Sequence, residues 1–431
     1  MPRSFISILG TNNYLECRHS FNEIVTEVPV KYCQEDIIKI FCNDFTHDDE
    51  IRIFLTQDAE LKNWYNDGHR DREKKIIPNI GLKERLEQIV SPGIIKPFRI
   101  KEGYSEEEIW EIFQTIFDTF QQGEEVIVDI THSFRSLPML LITLLNFAKQ
   151  VKNIKIKGIY YAAFEVLGPV YEVEKIKPEE RIAPILDLTS FANLQDWTNA
   201  TYDFINYGNV NKFRSLVTPD KKFKNKNEML EEFFPRRVID NINNLVENIA
   251  LCRGKDLLNF DYEGLRSDIL QLKDKKLPKP FYYLIDKILE QINSFNNNPN
   301  ELVLSLSQWC LNFNLFQQAI TLLQEFTITI ILKNFNYDYA QKELRNVVSQ
   351  SFRIHSENIS EENWKEPAST NKEFVNNLLK DELFKSLSSD YNSLTDLRND
   401  VNHAGFVEPR DVSRIKGKLE TIIKSFESKL K

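Results

Sequence analysis

Short apolar runs recur along the first 180 or so residues, at positions 5–9, 51–55, 94–100, 126–130 and 154–162, with longer stretches of helical spacing between several of them. Runs of this length predict strands, and the stretches at 81–90 and 105–121 predict helices. The second helix opens on S-E-E-E, a capping box that pairs Ser105 with Glu108. Strands alternating with helices predict βαβ units and a parallel sheet. Residues 63–75 interrupt the alternation with mixed charges and Gly68, which predicts a solvated loop. Beyond Pro184 the strand signal nearly vanishes, and helices separated by polar loops at 294–300 and 355–370 are expected. The organisation predicted is an α/β domain over residues 1–183, a helical connecting region over 184–300 and a helical domain over 301–431, with no internal repeat.

The most informative helical segment spans 384–406, where apolar residues fall at 384, 387, 391, 394 and 401 and the vacant slot, 398, holds an arginine. Such a stripe is the face a helix buries, and a guanidinium there is costly unless something pairs with it. His403 follows five residues later, roughly 140° around the helix, so Arg398 and His403 do not share a face. They can converge on a groove completed by a second copy of the same helix. Asn399, one turn before His403, is placed to hydrogen-bond its ring, and Gly405 reads as the glycine that ends the helix. This set suits metal-independent RNA cleavage. A ribose 2′-OH attacks the adjacent phosphorus, the arginine stabilises the developing charge and the histidine moves protons. DNA lacks the 2′-OH and should not be cut. The helix macrodipole alone also favours arginine and histidine near a C-terminus, which leaves a purely structural role open.

Two loops stand out in the α/β half. The first, Gly10, Thr11, Asn12, Asn13 and Tyr14, follows the first strand. The second, Asp129 to Ser136, follows the strand EEVIVDI and leads into a helix with Ser136 as expected N-cap and Pro138 in its first turn. In open parallel sheets, ligands bind beyond the carboxyl ends of the strands, where both loops would sit. Thr131, Ser133, Ser136 and Arg135, with free N–H groups at a helix start, suit a phosphate or another anion. His132 by itself is equally a structural histidine. Neither G-x-G-x-x-G nor G-x-x-x-x-G-K-[ST] occurs, which argues against a dinucleotide redox cofactor or a Walker-type ATPase.

Composition narrows the picture. The chain has 42% hydrophobic residues and 30 Phe, which is a globular composition, and its net charge of −9 means that RNA would be met by a local site, not a broad basic face. The five cysteines are scattered and without a C-x-x-C pair, as expected of free thiols in a reducing compartment. No zinc-ligand spacing appears, and no metal or cofactor is expected. The segment MPRSFISILG is too short for a signal peptide and no apolar run approaches a membrane span, so a cytoplasmic location is expected. His47 to Glu50 reads as a solvated turn, because four adjacent residues cannot all face one ion. The basic run at 221–226 reads as a solvated loop, and His355 lies near Arg353 in a loop-like neighbourhood at the wrong spacing for the cleavage set.

RNDVNH resembles the R-[polar]-x3-H signature of HEPN ribonucleases, and LRNDVNHAG is similar to the form found in type III CRISPR accessory nucleases. ILGTNNY and VDITHSFRSLP look like the ligand loops of the CARF domains of that family. The resemblance covers both ends of the chain and leaves about 185–300 without a recognised motif. It implies a Rossmann-like CARF domain followed by an all-α region ending in a HEPN domain. It further implies an endoribonuclease activated by cyclic oligoadenylate, the tetramer favoured and the hexamer open. Arg398 and His403 would be catalytic, with Asn399 in the supporting polar position. Gly10, Thr11, Asn12, Asn13, Asp129, Thr131, His132, Ser133 and Arg135 would form the ligand site. A homodimer or higher even-numbered oligomer is implied, because a cyclic ligand and a composite active site each suit a two-fold axis. Some CARF domains of this family also cleave their ligand. The reading from another class is a non-catalytic nucleotide-binding module whose helical half docks a partner.

Overall fold

The first apolar run folds as the centre of a sheet. In a computed structural model that describes residues 2–132, 137–217, 234–275, 277–404, 406 and 410–430, the chain forms two units, 1–193 and 194–431. The first holds strands β1 (Arg3–Leu9), β2 (Arg18–Phe21), β3 (Ile24–Val25), β4 (Glu50–Leu55), β5 (His69–Arg70), β6 (Ile76–Ile77), β7 (Ile95–Arg99), β8 (Glu125–Asp129), β9 (Lys155–Ala162) and β10 (Ile182–Asp187). Eight of them form one sheet in the order β3-β2-β10-β9-β8-β1-β4-β7. The five strands from β9 to β7 are mutually parallel, and β10 returns antiparallel to β9.

Alternation along β1 sends side chains to two layers. Phe5 and Leu9 join Ile37, Ile38, Leu82 and Leu86 on one face. Ile6 and Ile8 join Ile112, Ile116, Leu141 and Leu144 on the other. Each such side chain contributes roughly 1.5–3 kcal/mol when fully buried. The helices Cys33–Phe41 and Leu82–Glu87 therefore cover one face, and Glu106–Thr119 and Leu137–Val151 the opposite one. The chain adds β4 and β7 on one side of β1, then crosses to lay β8 and β9 on the other. The order reverses between β1 and β8, and their carboxyl ends open the crevice that such a reversal creates.

Several expectations need correction. Ser105 does cap its helix, accepting from Glu108 N, but the Glu108 carboxylate accepts from Gly103 N and Tyr104 N, so the reciprocal half of the capping box is absent. Residues 63–75 are not a wholly solvated loop, because Asn63, Trp64 and His69 are buried and β5 pairs with β6. A strand runs straight through Pro184, at the point where the partner of β10 changes from β2 to β9 and no ladder donor is required. Asp49, placed by sequence in a solvated turn, is buried and ion-paired with Arg3 at 2.7 Å. The helix Lys342–Glu357 carries His355, whose Nδ1 lies 3.1 Å from Ser388 Oγ.

The second unit is helical, and one apolar core runs from Trp197 to Phe426. Helix Phe316–Asn334 lies at its centre, buried nearly all round, as expected of a helix surrounded by others. Among the described residues no helix is long and apolar enough to cross a membrane.

Candidate functional site

The loop after β1 and the loop after β8 meet at the reversal point. Asp129 ends β8 and is buried. Its Oδ2 accepts from Ser7 Oγ at 2.7 Å, and its Oδ1 accepts from Thr131 N at 2.9 Å and from the Thr131 hydroxyl. Thr131 Oγ1 in turn accepts from Ala162 N at 2.9 Å. Burial pushes the Asp129 carboxyl upward against these bonds. Asp129 and Thr131 thus tie the second loop to β1 and β9, which positions His132.

The first loop is held from beneath. The Asn63 amide, fully buried, donates to Gly10 O and Asn12 O, both at 2.9 Å. Its oxygen accepts from His69 Nε2 at 2.8 Å and from Tyr32 Oη at 3.3 Å. Tyr14 folds back over Gly10 and stacks on His132, ring centroids 4.1 Å apart. A Cβ on Gly10 would lie 2.1 Å from Tyr14 Oη, so only glycine leaves that ring where it is. Gly10→Ala is expected to swing Tyr14 off His132, lowering affinity for a cleft ligand about ten-fold by calorimetry with little change in melting temperature.

These loops border a cleft of 520 Å³ whose lining includes Asn12, Asn13, Tyr14, Lys31, Thr131, His132, Tyr161 and Phe164. A smaller hollow of 280 Å³ over Gly10 and Thr11 adjoins the same residues. Asn12 and Asn13 are exposed, and Lys31 Nζ donates to Asn13 Oδ1 at 2.8 Å. Burial, then the nearby Arg85 charge, lower the Lys31 pKa. The cleft therefore offers flat rings, amides and an ammonium, a set suited to bases and phosphates. Ser133, Arg135 and Ser136 lie outside the described residues, as do the side chain of Pro138, the run at 221–226 and Gly405.

Sequence reasoning missed Lys31 and the group Cys17, His19 and Asp36, brought together by β2 and the helix Cys33–Phe41. Cys17 and His19 also line the cleft, and His19 Nδ1 lies 2.8 Å from Asp36 Oδ2. C-x-H on a strand is the available signal, because residues two apart share a face, but nothing local points to Asp36. Burial opposes a charge on His19, yet Asp36 and Cys17 outweigh it and raise its pKa to about 9. Burial, with the His19 charge nearby, pushes His132 down to about 3.

The signs of these shifts oppose each other. Stability from His19 is complete below its unfolded pKa of about 6.5 and is lost as pH rises through about 9. His132 stays neutral when folded, so the fold loses stability as pH falls from about 6.5 towards 3. The stability gap between the wild type and His19→Gln, measured by denaturant unfolding, should therefore shrink from pH 6 to pH 9.5. A gap unchanged over that range contradicts the assignment.

In the helical unit, helix Glu382–Asn402 buries Phe384, Leu387, Tyr391, Leu394 and Leu397. The apolar stripe thus continues through Leu397, and Arg398 lies beside it, half-buried, instead of occupying it. After Leu394 the inward position falls at the i+3 residue, and Leu397 takes it. The Arg398 guanidinium makes no hydrogen bond or ion pair among the described residues, which leaves its donors available. His403 is the exposed C-cap, and Ala404, which follows it, takes a left-handed φ of 53°. Asn399 O accepts from His403 N at 3.0 Å, while the Asn399 amide is exposed and makes no bond to the imidazole among the described residues. Asp400 is anchored by Arg410, N to Oδ2 3.2 Å. Among the described residues no cluster of three His, Cys, Asp or Glu side chains is arranged to hold a metal.

Comparisons with known proteins bear on both units. Residues 4–165 match the family described as the CARF domain of the CRISPR system endoribonuclease Csx1. Residues 193–300 match the second domain of the CRISPR-associated protein MJ1674. The curated protein of that name from Methanocaldococcus jannaschii is 27% identical over 214 residues, 49% of this chain, and the chain spans 30% of that relative's length. Among solved structures, Enterococcus italicus Csm6 bound to cyclic hexa-2′-fluoro-hexa-dAMP aligns over 100% of this chain and 94% of its own, at 12% identity and a TM-score of 0.47.

Proposed function

We propose, for a chain that is a CRISPR-associated CARF protein with a helical C-terminal half, that it is an endoribonuclease switched on by a cyclic oligoadenylate. The observation that carries the reading is the meeting of the Gly10–Tyr14 and Thr131–His132 loops at the sheet's reversal point, over a cleft with rings for bases and Lys31 for phosphate. Gly10, Thr11, Asn12, Asn13, Thr131 and His132 line that cleft or the adjoining hollow. Asp129 acts as a positioning residue beneath them. Cyclic tetra-adenylate is the activator we favour, with the hexamer second.

In the helical half, Arg398 and His403 act on RNA. The Arg398 guanidinium, without a hydrogen-bond or ion-pair partner among the described residues, stabilises charge on the phosphorane-like transition state, and the exposed imidazole transfers protons to and from the 2′-oxygen and the leaving 5′-oxygen. Asn399 assists once RNA is bound. The chemistry needs the 2′-OH and so leaves DNA intact. Both protein sites are completed by a second copy of the chain, with ligand shifting the dimer towards the arrangement that aligns the two Arg398–His403 pairs. Supporting an interface, the helix Leu137–Val151 exposes Met139, Ile142, Phe147 and Val151, and Trp110 extends this apolar area through Phe113. The exposure of both Asn399 and His403 also fits the second reading, a nucleotide-binding regulator whose helical half docks a partner.

The test incubates purified protein with labelled RNA and labelled DNA, with no activator, cyclic tetra-adenylate or cyclic hexa-adenylate, each with and without EDTA. RNA cleavage that depends on activator and survives EDTA supports the proposal. No cleavage under any condition favours the regulator, and cleavage lost in EDTA sinks the metal-independent mechanism.

A further inference from the structure

Cys17 and His19 in the cleft wall belong to a constellation to which the proposed function assigns no role. Cys17 Sγ lies 3.6 Å from His19 Nε2, and His19 Nδ1 lies 2.8 Å from Asp36 Oδ2. Asp36 Oδ2 also accepts from Thr26 Oγ1 at 2.9 Å, and its Oδ1 lies 3.7 Å from Lys39 Nζ. All three residues are at most 3% exposed, yet Cys17 and His19 border the cleft. Nucleophile, imidazole and orienting carboxylate stand in the order that activates a thiol. We propose that Cys17, His19 and Asp36 form a nucleophilic thiol site that exchanges with small disulfides and so places a covalent adduct in the cleft.

A second cysteine in the same cleft supplies the contrast. Cys33 Sγ lies 3.8 Å from Asp129 Oδ2, and burial together with that carboxylate holds its thiol well above the usual range. Cys17 instead faces the ring that Asp36 keeps cationic at neutral pH. The same small reagent that enters the cleft meets two thiols with opposite electrostatic neighbours. Among the described residues, Asp129 and His132 also sense the His19 charge.

The exchange balances. Cys17 Sγ gives its proton to solvent and is held as a thiolate beside the cationic ring; it attacks one sulfur of the reagent, the new S–S bond forms, the reagent's S–S bond breaks, and the departing thiolate takes up a proton from solvent. Cys17 is oxidised and the departing sulfur reduced. The adduct then occupies part of a 520 Å³ space, so a modified protein should lose affinity for whatever the cleft binds. The thiol site stands on its own side chains; only its effect on cyclic oligoadenylate rests on the function proposed above.

The full chain is treated at pH 7 with bis(2-hydroxyethyl) disulfide and adducts are mapped by peptide mass spectrometry over time. Cys17 should be modified about ten-fold or more faster than Cys33, and His19→Gln or Asp36→Asn should slow Cys17 about ten-fold. Equal rates at Cys17 and Cys33, or a Cys17 rate unchanged in a folded variant, overturn the proposal. If both variants unfold, the wild-type ratio of the two rates still decides. Calorimetry with cyclic tetra-adenylate before and after modification separates the two readings. Selective labelling of a protein that never binds the nucleotide supports the thiol site and overturns the ligand.

Discussion

His403→Ala is expected to lower RNA cleavage by about 10²–10⁴-fold while cyclic tetra-adenylate binds as tightly as before, the usual range for losing a proton-transferring side chain. His403 caps the end of helix Glu382–Asn402, is exposed, and holds nothing in place with its ring among the described residues. Its removal should therefore leave stability within about 0.5 kcal/mol of wild type, and lost activity cannot be put down to unfolding. Arg398→Lys should lose cleavage nearly as fully, because an ammonium keeps the charge but not the planar fork that spans two phosphate oxygens. Rates from single-turnover cleavage, with affinities from calorimetry, measure both effects. Wild-type cleavage by His403→Ala would remove the helix end from the catalytic proposal.

Asn63→Ala should have the largest effect on the cleft. One amide satisfies two loop carbonyls and accepts from two buried donors, His69 and Tyr32. Truncating it leaves four polar groups without that partner in a place where Asn63 itself has no solvent exposure. The expected penalty is about 3 kcal/mol in denaturant unfolding, since each unmatched buried group costs roughly 1–3 kcal/mol and water recovers part of it. The loop from Gly10 to Tyr14 then loses its support, and affinity for cyclic tetra-adenylate should fall by more than about ten-fold. Unchanged stability together with unchanged affinity would mean that the loop holds its shape without the clamp.

Asn63 also shows why part of the site could not be read along the chain. A polar residue in a polar stretch carries no periodic signal, and it is buried because its hydrogen-bond partners lie more than 50 positions away at Gly10 and Asn12. Lys31 and Asp36 were hidden too, because their partners Asn13 and His19 lie 18 and 17 positions away, beyond any local pattern. The two polar loops were legible because each follows an apolar strand run, whose direction fixes the end of the sheet at which a polar loop emerges. Arg398 shows the opposite failure. Heptad-like spacing placed it on the buried face, whereas Leu397 takes that position, because neighbouring residues lie only about 100° apart and a short stripe cannot choose between them.

What the amino-acid order determined by itself is the alternation of strand and helix in the first half, the helical second half, and the two polar loops that end β1 and β8. Those features depend on local period and on strand direction, which neighbouring residues set. Only the tertiary structure decided that β8 crosses back to lie beside β1, so that the loops meet, and that Asp36 stands behind His19 where Cys17 and His19 line the cleft. The β1–β8 pairing sets Arg3 opposite Glu125 and the His19–Asp36 contact joins a strand to the helix beside it, and their energy comes from burial and hydrogen bonds that exist only once the sheet has closed around them.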